Sequence, residues 1–153
     1  MRAQVDEQCV IKANSQFWEQ MLAMTSNPTL IAEEFWVAAG HISGSVSLSG
    51  AWKGRIEVRM ASELAYEATA AMMMQPAHIV GESDALDAAK EIANMIAGTI
   101  KSSLPRPCSM GVPESVVECD GFCHQPQTED SLVVAFRHAA GDLMVRVREQ
   151  ECG

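Results

Sequence analysis

The chain is 153 residues long, enough for one domain with a buried core, and carries 11 Lys and Arg against 20 Asp and Glu, a formal net charge of −9. Its basic residues are scattered apart from the Arg146–Arg148 alternation, so there is no stripe to displace counterions, which argues against nucleic acid and anionic membrane as partners. No apolar run reaches the about 18 residues of a membrane span, the start MRAQVDEQCV lacks the apolar core of a signal peptide, and the five cysteines have no disulfide-framework spacing; a cytoplasmic protein in a reducing compartment is expected.

Residues Val5 to Met24 are predicted to form a first helix, because Val10, Ala13, Phe17, Met21 and Met24 recur at helical spacing. Asn14 and Trp18 sit awkwardly in that pattern. Thr25 to Pro28 is expected to turn, and Phe35 to Ala38 is a candidate strand. Ile42, Gly44, Val46 and Leu48 then alternate with Ser43, Ser45, Ser47 and Ser49, a period of two that predicts one buried and one solvated face. Gly50 to Gly54 makes the turn. Ile56, Val58 and Met60 alternate with Arg55, Glu57 and Arg59, completing an antiparallel hairpin. Ser62 is expected to cap a second helix running to about Met74, ended by Pro76.

The most informative stretch follows. Between Ser83 and Leu104, the residues Leu86, Ala89, Ile92, Ala93, Ile96, Ala97, Ile100 and Leu104 fall on one apolar stripe of a helix. Ser83 is the expected N-cap, Asp84 and Asp87 supply negative charge to the first turn, and Pro105 stops the helix. The opposite face carries Asp87, Glu91, Asn94 and Gly98. Glu91 and Asn94 are three residues apart and leave the helix in nearly the same direction. A carboxylate there accepts hydrogen bonds from an ammonium group, and a carboxamide both donates and accepts. Gly98 costs the helix about 1 kcal/mol relative to Ala, a cost that makes sense if a bulky group approaches that face. An ordinary solvated face also carries Glu and Asn, and the spacing alone does not choose between the two.

Beyond the helix, Pro105-Arg106-Pro107 begins a loop, Val116 to Cys119 is a candidate short strand, and Asp120 to Asp130 is a polar connection. Leu132 to His138 and Leu143 to Arg148 are predicted to form a second hairpin around Ala139 to Asp142, with a frayed tail from Glu149. Hairpins with interspersed helices predict an α+β fold, an antiparallel sheet of hairpins with helices packed on it. Cys119, Cys123 and His124 have no second cluster to complete a zinc site. Met72-Met73-Met74 points around its helix, as core packing rather than metal ligation, and the four histidines are dispersed. Gly40 to Gly54 lacks the strand–helix context of a phosphate loop. No metal site, triad or dinucleotide site is expected.

The stretch Asp87 to Gly98, with Glu91-Ile92-Ala93-Asn94-Met95-Ile96-Ala97-Gly98, resembles the signature of the chemotaxis phosphatases CheC, CheX and FliY: a Glu-x-x-Asn helix with Gly at the fourth position after Asn. The segments Gly40 to Met74 and Ser109 to Val117 also look like that family, and the single copy of the motif is most like CheX. The resemblance implies a CheC-like fold and a phosphatase acting on the aspartyl phosphate of a CheY-like response regulator, in chemotaxis or related two-component signalling. It implies no cofactor of the chain's own, because the regulator supplies Mg²⁺ and its lysine. By the same resemblance Asn94 orients the attacking water and Glu91 pairs with the regulator's lysine; from their positions on the helix, Gly98 is expected to let the regulator's surface lie close, and Asp87 shares that docking face. A homodimer formed through the sheets is also implied. The rival reading is a non-enzymatic scaffold or sink that binds the regulator without hydrolysis; a weaker one is a small-ligand sensor using the Met/Ala-rich interior.

Overall fold

A computed structural model describes residues 5–29, 40–118 and 131–150. The candidate strand at 35–38, the connection at 120–130, the potential soft ligands Cys119, Cys123 and His124, and the last three residues lie outside them. The described chain forms β1 (Asn27–Thr29), β2 (His41–Gly50), β3 (Gly54–Ala61), β4 (Cys108–Met110), β5 (Glu114–Glu118), β6 (Ser131–His138) and β7 (Gly141–Glu149). The helices are α1 (Glu7–Ser15), α2 (Ser62–Met73) and α3 (Glu82–Lys101). The strands form one antiparallel sheet in the order β1-β6-β7-β3-β2, with β4 and β5 both pairing β2 on its far edge. The expected α+β architecture is the observed one. No helix among the described residues is long and apolar enough to cross a membrane.

Both predicted hairpins form. Ile42 lies opposite Met60, Gly44 opposite Val58 and Val46 opposite Ile56, and these pairs continue across β7 as Leu143, Val145 and Val147. Val134 and Phe136 of β6 extend the same apolar face, which packs under the helices. The turn of the second hairpin is tighter than predicted, because β7 already begins at Gly141. Glu149 belongs to β7, and the Gln150 N–H donates to the Lys53 carbonyl at 2.8 Å, so the tail does not fray at Glu149.

The other face differs from expectation. Ser43 and Ser45 are buried, together with Arg59 and Arg146. The register places Ser45, Glu57 and Arg146 in one row across three strands. Glu57 sits 3.3 Å from the Arg59 guanidinium and 3.9 Å from that of Arg146, and Arg55 donates to the Ser45 hydroxyl at 2.6 Å. A buried charge persists only when paired, so this face is a polar layer rather than a simple solvated surface.

Several element ends also move. The first helix is shorter than Val5 to Met24. Asp6 caps α1 by accepting the Cys9 N–H at 2.9 Å, and the chain then widens into a π-helical turn, Gln16–Met21. Asn14 and Trp18 are fully buried on the same stripe as Val10, Ala13 and Phe17, whereas the wider turn shifts the helical phase beyond it and leaves Met21 59% exposed. The Asn14 amide donates to the Ser26 hydroxyl at 2.7 Å, and the predicted turn around Asn27 and Pro28 is instead β1, paired with β6. Ser62 does not cap α2; the cap position is Ala61, with no side-chain bond. At the other end of α2, Met73 and Met74 are exposed, and only Met72 packs against the core. The loop after Pro107 leads into β4, and the strand expected at Val116 starts two residues earlier as β5.

One contact sets the distance between the layers. A Cβ built on Gly44 would overlap the Ala89 carbonyl, lying 2.6 Å from its carbon and 3.0 Å from the Ala93 Cβ. Helix α3 therefore rests directly on the β2 backbone, small residue against small residue. Gly44→Val should destabilise the protein by about 3 kcal/mol, the upper part of the range for an overpacked core, and thermal melting will measure it.

Trp18 packs edge-on against His138, with ring centroids 4.5 Å apart. Burial lowers the His138 pKa from 6.5 to about 4, a shift that the Asp142 carboxylate partly opposes. The unfolded chain thus takes up a proton at a higher pH than the folded one does. Stability is full above the ordinary histidine value and falls as the pH drops through the window between the two values. Chemical denaturation midpoints measured across that window should decline toward acid, and His138→Phe should flatten the slope.

Candidate functional site

Helix α3 presents the candidate residues. Its buried side is continuous, with Ala89, Ile92, Ala93, Ile96, Ala97 and Ile100 all fully buried and Leu86 half-buried against the core. The N-terminal cap is not Ser83. Gly81 holds the cap position, and the Asp84 carboxylate accepts the Gly81 N–H at 3.0 Å. Regular helix ends at Lys101 rather than Leu104. The Ser102, Ser103 and Leu104 N–H groups tighten onto the carbonyls three residues back and tuck Leu104 into the core.

On the outward side, Asp87 and Glu91 are exposed and Asn94 is half-buried. Helical geometry separates Glu91 and Asn94 by about 60° around the axis and about 4.5 Å along it, so both groups face one partner surface. Neither the Glu91 carboxylate nor the Asn94 carboxamide takes a hydrogen bond or ion pair among the described residues. Their hydrogen-bonding capacity is available to a partner, while the helix beneath them is held by its buried stripe. Asp87, one turn before Glu91, lies on the same outward stripe.

Gly98 continues that stripe, and a Cβ built on it would meet nothing within 4 Å. Its lack of a side chain therefore serves no packing need within the described chain. It lines a groove of about 490 Å³ together with Lys101, Ser102, Arg106, Pro107 and Cys108. A smaller hollow of about 190 Å³ lies on the other flank of α3, between Met95, Thr99 and the π-helical turn. Sequence reading missed the groove, since Lys101 and Arg106 counted only as scattered charges. The available signal was the spacing 87, 91, 94, 98, 101, which keeps Lys101 on the site stripe. Among the described residues no group of three or more His, Cys, Asp or Glu side chains is arranged to hold a metal ion.

This fold and this helix face define a CheC-like α+β protein that presents a Glu-x-x-Asn pair on an outward helix. The family model described as chemotaxis phosphatase CheX matches residues 42–137, well over half of the chain and including all of α3. The chain belongs to the CheX family. Among solved structures, a CheC-like superfamily protein from Shewanella sp. PV-4 superposes with a TM-score of 0.77 at 18% identity, covering 99% of this chain and 100% of that one. The chemotaxis protein CheX from Vibrio vulnificus gives 0.74 at 18% identity, with 98% and 100% coverage. A chain of the CheX–CheY–BeF3–Mg²⁺ complex from Borrelia burgdorferi gives 0.70 at 17% identity, with 94% and 97% coverage. At these identities the likeness is one of fold. No curated protein matches in sequence.

The open space at Gly98 yields a direct expectation. Gly98→Ala should raise folding stability by about 1 kcal/mol, because the added methyl removes the glycine entropy cost without a clash, and denaturant titration will measure the gain.

Proposed function

We propose that this protein hydrolyses the aspartyl phosphate of a CheY-like response regulator. Membership of the chemotaxis phosphatase CheX family supports the class of reaction. The observation that carries the reading to this chain is the Glu91–Asn94 pair, outward on a rigidly seated helix and unengaged among the described residues. The fold's likeness to a chain from a CheX–CheY complex supports the choice of partner.

In this mechanism the Asn94 carboxamide oxygen accepts a hydrogen bond from a water and holds it in line with the phosphorus. The water oxygen bonds to phosphorus as the bond to the aspartyl oxygen breaks, releasing inorganic phosphate and restoring the carboxylate. Little covalent help is required in phosphoryl transfer, so positioning the nucleophile is the main contribution left to the phosphatase. An amide suits that task because it orients water without competing for its proton. The Glu91 carboxylate pairs with the regulator's lysine and fixes the docking geometry, a charge-assisted contact shielded from solvent once the surfaces meet. Asp87 adds negative charge on the same approach, and the bare backbone at Gly98 admits the partner surface. The Mg²⁺ of the reaction belongs to the regulator, where it neutralises phosphoryl charge. A homodimer paired through the sheet belongs to the same reading; the outer strand β5 leaves Val116 half exposed.

The test is the decay of a phosphorylated CheY-like regulator from the same cell. Wild-type protein should accelerate phosphate loss, and Asn94→Ala should abolish at least about 100-fold of that acceleration with an unchanged fold, the scale expected for loss of a positioned nucleophile. Glu91→Ala should instead weaken binding of the regulator. Binding without faster decay would leave the scaffold reading in place of the enzyme.

A further inference from the structure

The outward stripe of α3 is electrically polarised. Asp87 and Glu91 occupy its first half with Lys90 at its margin, a net negative charge, Asn94 and Gly98 its middle, and Lys101 its end, where Arg106 joins from the following loop. The two cations flank the groove that Gly98 leaves open, and neither is in an ion pair among the described residues. A cation in the last turn of a helix is commonly explained by the helix dipole. That explanation covers Lys101 but not Arg106, which lies beyond the helix end and still lines the same groove. In a chain of net charge −9, the two cations share a groove whose lining holds no carboxylate, a local exception to the acidic surface.

We infer that the Gly98–Lys101–Arg106 groove receives a carboxylate-bearing segment of the response regulator, and that this contact sets the direction in which the regulator docks on α3. The inference rests on the phosphatase reading for the identity of the partner. Seven residues of helix separate Asn94 from Lys101, about 10 Å along the axis, so the segment lies about that far from the phosphorylated aspartate. The stripe then carries two charges of opposite sign at a fixed separation. Glu91 attracts the regulator's lysine, while Lys101 and Arg106 attract its carboxylates. A regulator turned end for end meets like charges at both places, which is how a polarised surface rejects a wrong orientation. The absent side chain at Gly98 gives the incoming chain room to reach both cations.

Binding of the beryllofluoride-activated regulator, followed by fluorescence or calorimetry at several salt concentrations, tests this separately from catalysis. Lys101→Gln with Arg106→Gln should raise Kd about two- to thirtyfold and flatten its salt dependence, as loss of two rim ion pairs predicts. Lys101→Glu with Arg106→Glu should weaken binding further and invert the salt dependence, so that added salt strengthens the residual affinity. In decay assays the loss should fall on the half-saturating concentration, whereas Asn94→Ala lowers the rate at saturation. Thermal melting of each variant confirms that it is folded. Folded variants with unchanged Kd and salt slope would overturn the groove assignment while leaving Asn94 as the water-positioning group. If wild type binds without speeding decay, the enzyme reading fails, and the binding constants still decide the groove. If wild type does not bind any regulator of the cell, both are overturned.

Discussion

The backbone-to-backbone seating of α3 on β2 at Gly44 is the constraint on which the rest of the structure depends. Ala89 and Ala93 face a position where even one methyl group would overlap the helix carbonyl. Small residues on both sides let the helix backbone rest on the strand backbone, and the larger side chains of the stripe, Ile92, Ile96 and Ile100, join the same core cluster. Close packing transmits such a restraint because a dense interior offers few alternative arrangements. The axial rotation of α3 is thereby determined. Once the alanine side faces the sheet, Glu91 and Asn94 have no direction left but outward.

On the proposed function, the helix would carry its chemistry on an open outward face rather than in an enclosed pocket. A phosphatase whose substrate is another folded protein needs a projecting, inflexible group rather than a cleft, since the partner provides the rest of the site. In the proposed mechanism rigidity matters more than enclosure, because a carboxamide displaced by an ångström no longer aligns a water with phosphorus. The buried stripe, the Gly81–Asp84 cap and the tightened turn ending at Leu104 all restrain the same element. Against that rigid frame, the inferred docking direction follows from the charges of the outward stripe, net acidic at one end and basic at the other.

The sheet's second face shows why burial is harder to read than periodicity. The serines of β2 alternate as a solvated face should, yet Ser43 and Ser45 are buried and share a layer with Arg59, Glu57 and Arg146. Nothing local to HISGSVSLSG signals this, because the arginines that complete the layer come from β3 and from β7, far along the chain. Phase errors had a local cause elsewhere. The π-helical turn after Ser15 carries Met21 off the buried stripe of Val10, Ala13, Asn14, Phe17 and Trp18, and a strict 3.6-residue template cannot anticipate an inserted residue. Methionines 73 and 74 were misplaced for a similar reason: composition marked them apolar, but they fall at the exposed end of α2.

The sequence by itself determined the two hairpins, the buried stripe of α3 and the side-by-side projection of Glu91 and Asn94, because all of these follow from short-range periodicities of two and 3.6 residues. The resemblance of the Glu-x-x-Asn stretch to the chemotaxis phosphatases also lay in contiguous residues, and the CheX family match across residues 42–137 accords with it. Tertiary structure alone decided that Gly44 is a packing contact, and it bore out the open face expected at Gly98. Gly44 lies beneath a helix backbone, and Gly98 faces open space. It alone also brought Arg106 beside Lys101 and Arg146 beside Glu57. Those pairings depend on how a loop folds back and how strands order themselves in a sheet, and that information resides in contacts between distant residues rather than in any local pattern.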